Sequence, residues 1–107
     1  MSLSTHVLNG ATGRPVAGLT VVLARRAADR SWTELDRRST DDDGRVRELA
    51  AQLPAGVYRL SFDVENGLDG PCFYPEVSIA FTVDDPAQHY HVPLLLSPYA
   101  YSTYRGS

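Results

Sequence analysis

Three histidines, His6, His89 and His91, are the residues of this sequence best suited to acid–base or metal chemistry. In the segment HYHVP, His89 and His91 stand two residues apart, so on a strand their side chains share one face. His6 lies in a different predicted strand. A His-x-His pair with a third histidine can ligate tetrahedral zinc, but scattered surface or edge histidines give the same pattern. The residues alone leave both alternatives open.

An acidic run at residues 41–44, DDDG, resembles a calcium-binding loop at first sight. An EF-hand loop needs a carboxylate at its first position and a glutamate at its last, where this chain has Ser39 and Ala50. The run instead predicts a tight turn with Gly44 in the left-handed conformation. Arg45 follows at the start of the next predicted strand, and on its own it is interpreted as solvated surface.

Motifs for nucleophilic catalysis are absent from the sequence. It has no Gly-x-Ser-x-Gly elbow, no Gly-rich phosphate loop before a helix and no paired carboxylates that one site would bring together. The single cysteine, Cys72, cannot form an intramolecular disulfide. It lies in the loop DGPCFYP without a histidine beside it, and is therefore interpreted as a loop or packing residue.

Length and charge narrow the class of protein. The 107 residues predict one domain, spanning 1–107. The net charge is −3 and its acids and bases are scattered, which argues against nucleic acid, because binding to phosphates requires clustered Lys and Arg. No apolar run approaches the length of a membrane span and no secretion signal is visible. We therefore expect a cytoplasmic protein without nucleic-acid or membrane partners.

The elements that position these residues are short strands. Period-two alternation in β-branched and aromatic runs predominates, with turn residues between the runs. Strands are predicted at 3–9, 19–26, 31–40, 56–64, 75–83, 89–96 and 99–104, with a short strand running into a loop at 46–52. Only residues 65–72 suit a short helix. The pattern predicts an all-β antiparallel sandwich with Greek-key connections, seven to eight strands and at most one short helix.

Three side chains carry more specific predictions. Trp32 and Leu35 are expected to pack against the core from the strand at 31–40. Pro93 interrupts a good strand, and proline has no N–H to donate. That strand is expected to lie at a sheet edge, to be bulged, or to turn its N–H side toward open space. An uncovered edge favours oligomerisation.

Several motifs, in the same order along the chain, resemble the 5-hydroxyisourate hydrolase family, the transthyretin-related proteins. They are STHVLN, TGRPVAGLTVVL, DDDGR, FYPEVSIAF and HYHVPLLLSPYAYSTYRGS, which together extend from about Ser4 to Ser107. The final YRGS is specific to the hydrolase branch, since transthyretins share the SPY-x-YST stretch but lack this tetrapeptide and the histidines. The chain departs from the family at Asn9, at Ala100 and in a shortened segment 65–72.

The resemblance implies a transthyretin-like sandwich that assembles into a homotetramer, a dimer of dimers with a channel between them. It implies hydrolysis of 5-hydroxyisourate to 2-oxo-4-hydroxy-4-carboxy-5-ureidoimidazoline in purine (urate) degradation, with no cofactor and no metal. His89 is not assigned to the site. Carried over by motif, the catalytic residues are His6, Arg45 and His91, and the substrate-binding residues are Tyr104, Arg105, Gly106 and Ser107.

The chemistry implied is attack by water on a cyclic amide carbonyl. Either His6 or His91, held neutral, would take the proton of the water while the other orients or donates, and Arg45 would bind substrate and stabilise charge. Ser107 and its carboxylate are expected to fold into the pocket. Two alternatives are a non-catalytic small-molecule carrier of the transthyretin type, binding in the inter-dimer channel, and a structural interaction module.

Overall fold

The computed structural model describes residues 3–50 and 52–106, which form nine strands and one helix. The strands are β1 Leu3–Asn9, β2 Arg14–Pro15, β3 Thr20–Arg26, β4 Trp32–Ser39, β5 Arg45–Val46, β6 Gly56–Asp63, β7 Glu76–Val83, β8 Tyr90–Ser97 and β9 Ala100–Thr103. The helix α1 is one turn, Val64–Gly67, and follows β6 directly.

The predicted elements agree with these bounds. Alternation located the seven longer strands, and α1 lies at the edge of the one segment that suited a helix. β2 and β5 are only two residues long. A short strand was expected over 46–52, but β5 is Arg45–Val46 and residues 47–50 and 52 are not in a strand, while residue 51 lies outside the described residues. Residues 14 and 15 were expected to be part of a turn-rich connection, because so short a strand has no period to detect.

Two sheets pack face to face. One has the order β2-β1-β8-β9, with β5 also paired to β1, and the other has the order β4-β3-β6-β7. The chain changes sheet between β2 and β3, β4 and β5, β5 and β6, and β7 and β8. Such connections between sheets are of the kind that Greek-key sandwiches use. The all-β transthyretin-like sandwich predicted from the sequence is confirmed.

One pairing departs from the antiparallel pattern. β1 and β8 run parallel, with Leu3 opposite Tyr90 and Asn9 opposite Leu96, whereas every other pairing of named strands in residues 3–50 and 52–106 is antiparallel. The alternation of apolar and polar residues along a strand shows which side chains face the core, but not whether the strand runs parallel or antiparallel to its neighbour. The parallel register matters for function because it fixes which residues of β1 and β8 are neighbours.

The core lies between the sheets and is built from the inward residues of both. Along β6, Tyr58, Leu60 and Phe62 are fully buried, while β1 contributes Leu3 and Val7. Truncating such a buried leucine to alanine costs about 2–5 kcal/mol. The outward residues of the same strands remain free to carry chemistry, since the core does not depend on them.

The packing prediction for β4 is half right. Trp32 is partly buried and lies under the Arg59 guanidinium, 4.5 Å from the ring centroid. Leu35 is 47% exposed, so its predicted core role is wrong. Leu23 pairs with Asp36 and Ala24 with Glu34, which makes Leu35 the extra residue of a β-bulge on an edge strand. A bulge breaks the alternation on which the prediction relied.

Pro93 lies in an interior strand, not at an edge, because β8 has β1 on one side and β9 on the other. The ladder with β9 runs from Ser97 to Leu94, stops opposite Pro93, and resumes as an isolated bridge between His91 and Gly106. The Thr103 hydroxyl donates to the Pro93 carbonyl at 2.7 Å. The missing N–H is thus accommodated by a local interruption of the ladder.

Helices are scarce in the described residues, and none has the length and apolar character needed to cross a membrane.

Candidate active site

The outer face of the β1–β8 sheet carries most of the predicted catalytic residues. Along β1 the odd-numbered residues Leu3, Thr5 and Val7 are buried, so Ser4 and His6 turn outward. His91 is likewise only partly buried, between the buried Tyr90 and Val92. Because β1 and β8 are parallel neighbours, these outward side chains meet on one surface.

The register then sets their relative positions. Ser4 lies opposite His91, and His6 lies opposite Pro93 on one side and Arg45 of β5 on the other. Side chains directly opposite each other across a strand pair are about 5 Å apart at Cβ. The fold therefore brings His6, Arg45 and His91, chosen from the sequence, onto adjacent strands.

The predicted acidic turn holds Arg45 in place. The Asp41 carboxylate accepts the backbone N–H groups of Asp43 and Arg45, each at 2.9 Å. Gly44 has a φ of +76°, the left-handed conformation predicted from the sequence, and its carbonyl accepts the Val7 N–H at 2.7 Å. A Cβ on Gly44 would lie 2.5 Å from the Val7 carbonyl oxygen. Glycine is thus required both for the turn and for the close approach to β1.

The second close approach in the site is that of Gly106. Its N–H donates to the His91 carbonyl at 2.8 Å, and a Cβ at this position would lie 2.5 Å from His91 Cδ2. Only a residue without a side chain lets the C-terminal segment contact the imidazole ring in this way. Of the described residues in the predicted substrate-binding tetrapeptide, Gly106 is the one that touches His91.

Three further residues join the site that sequence reasoning had left out. The Ser4 hydroxyl lies between two imidazoles, 2.9 Å from His89 Nε2 and 2.7 Å from His91 Nδ1. Arg47 also reaches the site, where a cleft of about 280 Å³ is lined by Ser4, Thr5, Arg45, Arg47, His89 and His91. Every residue of this lining is polar or charged.

The same sequence signal existed for all three. Ser4 stands two residues before His6, His89 two before His91 and Arg47 two after Arg45, so on a strand each shares the face of a chosen residue. His89 was considered only as a metal ligand.

Burial and neighbouring positive charge act together on His91. Desolvation lowers the pKa of His91 below its ordinary value, and the nearby Arg45 guanidinium lowers it further, with smaller contributions from His6 and His89. The imidazole is therefore neutral at neutral pH. A neutral ring is able to accept or donate a hydrogen bond, depending on the position of its proton.

Two of the predicted substrate-binding residues, Tyr104 and Arg105, are not in this cluster. Arg105 lies over the Tyr90 ring, 4.5 Å from its centroid, and donates to Gln88 Oε1 at 2.9 Å. Tyr104 is 60% exposed, and both residues line a separate groove with Ile79 and other residues between β7 and β8. Ser107 lies outside the described residues.

The zinc alternative finds no geometric support in residues 3–50 and 52–106. Within these ranges no three His, Cys, Asp or Glu side chains are grouped so that they could hold one ion. His89 and His91 each direct a ring nitrogen toward Ser4. The three histidines therefore share a face without forming a ligand set.

Comparisons with known proteins find similar proteins over nearly the whole of this chain. A curated 5-hydroxyisourate hydrolase from Caulobacter vibrioides is 45% identical over 113 residues, covering 98% of this chain and 97% of the relative. The structure of Klebsiella pneumoniae 5-hydroxyisourate hydrolase matches with a TM-score of 0.87 and 34% identity, covering all of both chains. Sea bream transthyretin in complex with thyroxine matches with a TM-score of 0.90 at 28% identity, covering 99% of this chain and 95% of the other.

The family assignment rests on nearly the whole sequence. The model of the HIUase/Transthyretin family matches residues 3–106. This range includes the described site residues on the outer face of the β1–β8 sheet, which are Ser4, His6, Arg45, Arg47, His89, His91 and Gly106. The resemblance found in the sequence motifs is thereby confirmed, and this chain belongs to the HIUase/Transthyretin family.

Proposed function

We propose that this protein is a 5-hydroxyisourate hydrolase. It opens the ring of its substrate by adding water to a cyclic amide carbonyl, giving 2-oxo-4-hydroxy-4-carboxy-5-ureidoimidazoline. The observation that carries the proposal is the convergence of His6, Arg45 and His91 on adjacent strands. Arg45 and His91 line one polar cleft, and His6 lines a second cleft that shares Arg45 and Arg47 with the first. Relatives that bear this name match nearly the full length of the chain, which supports the same reaction here.

The reaction needs a base, a donor and a positive charge. One neutral imidazole takes a proton as the water oxygen bonds to the carbonyl carbon, and the electron pair of the C=O bond moves onto its oxygen. The carbon–nitrogen bond of the ring then breaks, its electron pair stays on nitrogen, and that nitrogen receives a proton. The sum is the addition of one water molecule, so the step requires neither oxidant nor reductant.

Arg45 is the group that stabilises the developing charge. Its guanidinium stays charged at any working pH and presents several N–H donors in a fixed plane, which suits a planar, electron-rich ligand. The Asp41 carboxylate fixes its backbone position through the turn. The same positive charge keeps the neighbouring imidazole unprotonated, which preserves a base at neutral pH.

The C-terminal tetrapeptide completes the site in this proposal. Gly106 supports the His91 ring from one side, and Ser107 follows it directly in the chain. Tyr104 and Arg105 project over the groove beside β7, and in an assembly they contact a neighbouring subunit or its substrate. We infer that the cleft is shared between subunits and that Tyr104, Arg105, Gly106 and Ser107 contribute to binding.

The proposed assembly is a homotetramer of single-domain subunits, a dimer of dimers. Phe73, Tyr99, Tyr101 and Tyr104 are each more than two-fifths exposed, which is a large apolar area for one subunit to leave in water. Tyr74 packs edge-on against both Phe73 and Tyr101, at centroid distances of 4.9 and 5.2 Å. Burial of this aromatic surface against another copy supports oligomerisation.

A carrier function is the competing proposal, and the likeness to sea bream transthyretin with thyroxine favours it at the level of fold. Sites for small-molecule ligands are usually lined by apolar side chains with a few polar groups. The cleft at His91 has the opposite composition, with two arginines, two histidines, a serine and a threonine. This lining suits chemistry on a polar ring better than carriage of an apolar ligand.

One assay separates the two functions. Urate oxidase generates 5-hydroxyisourate in the cuvette, and its decay is followed by ultraviolet absorbance with and without this protein. We expect rapid decay with the protein and a loss of about 10²- to 10⁴-fold in the His91→Ala variant. A chelator should leave the rate unchanged. Decay no faster than in buffer contradicts the proposal, and full activity in His91→Ala refutes the role of that residue.

A further inference from the structure

The Ser4 hydroxyl stands between two imidazole rings, and its chemistry limits how protons are arranged there. It lies 2.9 Å from His89 Nε2 and 2.7 Å from His91 Nδ1. A serine hydroxyl has one hydrogen to donate and lone pairs with which to accept. It can therefore donate to at most one of the two rings, and at least one ring must donate to it.

The burial of the other nitrogen of His89 selects between the two arrangements. His89 Nδ1 is shielded from solvent and has no hydrogen-bond partner within residues 3–50 and 52–106. If Ser4 donated to His89 Nε2, the neutral ring would carry its proton on Nδ1, as a buried N–H without an acceptor. Orphaned buried N–H groups are rarer than unpaired acceptors in native proteins. The favoured arrangement places the proton of His89 on Nε2.

Within residues 3–50 and 52–106 the two imidazoles are the hydrogen-bond partners of the Ser4 hydroxyl, so once His89 donates to it, His91 Nδ1 is the acceptor within reach of its hydrogen. His89 Nε2–H donates to Ser4 Oγ, the Ser4 hydroxyl donates to His91 Nδ1, and a neutral His91 then carries its own proton on Nε2. His91 lines the cleft, and Nε2 is its one nitrogen not bonded to Ser4. In this state His91 is a hydrogen-bond donor toward the substrate and cannot take the proton of the water at Nε2.

We propose that Ser4 and His89 are positioning residues that fix His91 in the Nε2–H tautomer, so that His91 acts as the donor and His6 as the general base. This inference rests on the proposed hydrolase function and assigns the roles within it. The His6 imidazole forms no hydrogen bond to another residue of the described ranges, so its lone pair is available. It stands opposite Arg45 on the strand between β5 and β8.

In the reaction, the proton of the attacking water moves to His6 as the oxygen–carbon bond forms. The carbonyl oxygen takes up the electron pair and accepts hydrogen bonds from His91 Nε2–H and Arg45. When the carbon–nitrogen bond breaks, the nitrogen takes the proton back from His6. His6 is neutral again at the end of the cycle, and His91 has kept its proton throughout.

The tautomer is measured directly by NMR, without substrate. Two-bond ¹H–¹⁵N correlation spectra of the ¹⁵N-labelled protein at about pH 8, above the ordinary histidine pKa of about 6.5, separate the two neutral forms. We expect His91 in the Nε2–H form in the wild type and a mixture of tautomers in Ser4→Ala. Ser61→Ala, which removes an outer-face serine of the other sheet, serves as the control and should leave the His91 signals unchanged. A wild-type His91 in the Nδ1–H form overturns the proposal.

Kinetics test whether the tautomer matters for turnover. Glutamine at position 89 keeps an N–H donor toward Ser4, whereas leucine does not. His89→Leu should lower kcat about 10- to 100-fold with little change in KM, as loss of a supporting hydrogen bond to a functional histidine does, and His89→Gln should recover most of kcat. Equal rates in the two variants, with equal folded fractions by circular dichroism, contradict the positioning role.

The two experiments also separate this inference from the proposed function. If the wild type does not hydrolyse 5-hydroxyisourate, the proposed function fails, yet the spectra still report the His91 tautomer. If turnover is present and His91 carries its proton on Nδ1, the function stands and the assignment of roles fails. Ser4→Thr, which retains the hydroxyl, replaces Ser4→Ala if the alanine variant does not fold, and it should keep the wild-type tautomer.

Discussion

Gly106 contacts the His91 imidazole so closely that a single methyl group would displace the ring. A Cβ there would lie 2.5 Å from His91 Cδ2, and the ring is the part able to move. Gly106→Ala should therefore lower kcat for 5-hydroxyisourate at least about 10-fold, since misplacement of a catalytic group by about 1 Å is costly. The melting temperature should change little.

Gly10→Ala is the matched control for this variant. Gly10 is exposed, has no positive φ, and its Cβ would meet nothing closer than the Ser97 hydroxyl at 3.2 Å. The assay is the decay of 5-hydroxyisourate at saturating substrate. Equal kcat in the two alanine variants would show that the contact with His91 has no catalytic consequence.

The lowered pKa of His91 also predicts a dependence of stability on pH. The unfolded chain binds this proton more readily than the folded one, because burial and Arg45 oppose the charge in the native state. Above about pH 6.5 His91 is neutral in both states and does not lower the free energy of unfolding. As the pH falls from about 6.5 toward the lower folded pKa, the unfolded chain takes up the proton first, and the free energy of unfolding decreases. His91→Gln removes this contribution, so its melting temperature should fall less than that of the wild type between about pH 7.5 and about pH 5.5. Parallel falls in the two proteins would contradict a lowered pKa of His91 in the folded state.

At the scale of elements, the turn before β5 is the feature on which the position of Arg45 depends. Gly13 and Gly44 have nearly the same φ, +74° and +76°, but a Cβ on Gly13 meets nothing within 4 Å whereas one on Gly44 meets the Val7 carbonyl oxygen at 2.5 Å. Gly13→Ala should cost about 1–3 kcal/mol for the left-handed backbone alone. Gly44→Ala should cost measurably more.

Urea unfolding of the two variants measures this difference. Gly44→Ala should also reduce turnover in the fraction that remains folded, because the turn can no longer bond to β1 and Arg45 shifts with it. Equal unfolding free energies would mean that the backbone near Val7 can move away from the added methyl group without loss of stability.

The sequence predicted the strands well because most of them alternate cleanly, as in β6. It failed at Leu35, where a bulge adds one residue and reverses the face of the side chains beyond it. It also failed to give the direction of β8 relative to β1, since no local pattern encodes a pairing between distant segments.

The sequence likewise predicted only part of the candidate site. His6, Arg45 and His91 came from motif resemblance, and the structure brings them together. Ser4 and His89 required the register of two strands, and that register is a property of the folded chain. Resemblance also assigned Arg105 to substrate binding, although within one subunit it packs over Tyr90.

For the whole molecule, the exposed aromatic side chains predict self-association, and the family resemblance implies four subunits. Light scattering should give four times the subunit mass of 11.7 kDa. Tyr99 is 71% exposed at the turn between β8 and β9, and Tyr99→Glu should lower the mass toward that of the dimer or monomer. Leu35→Glu places the same charge at an exposed apolar residue of the other sheet and should leave the mass unchanged. A monomeric wild type would contradict the assembly.

The parallel pairing of β1 and β8 has a consequence for how the chain acquires its activity. Ser4 and His91 are 87 residues apart, and closing a loop of that length costs about 4 kcal/mol of chain entropy before any contact forms. An early intermediate containing only the β4–β3–β6–β7 sheet would give part of the β-sheet circular dichroism signal and no catalysis. Recovery of turnover during refolding should therefore lag behind recovery of the β-sheet signal, because activity appears only after β1 and β8 have paired.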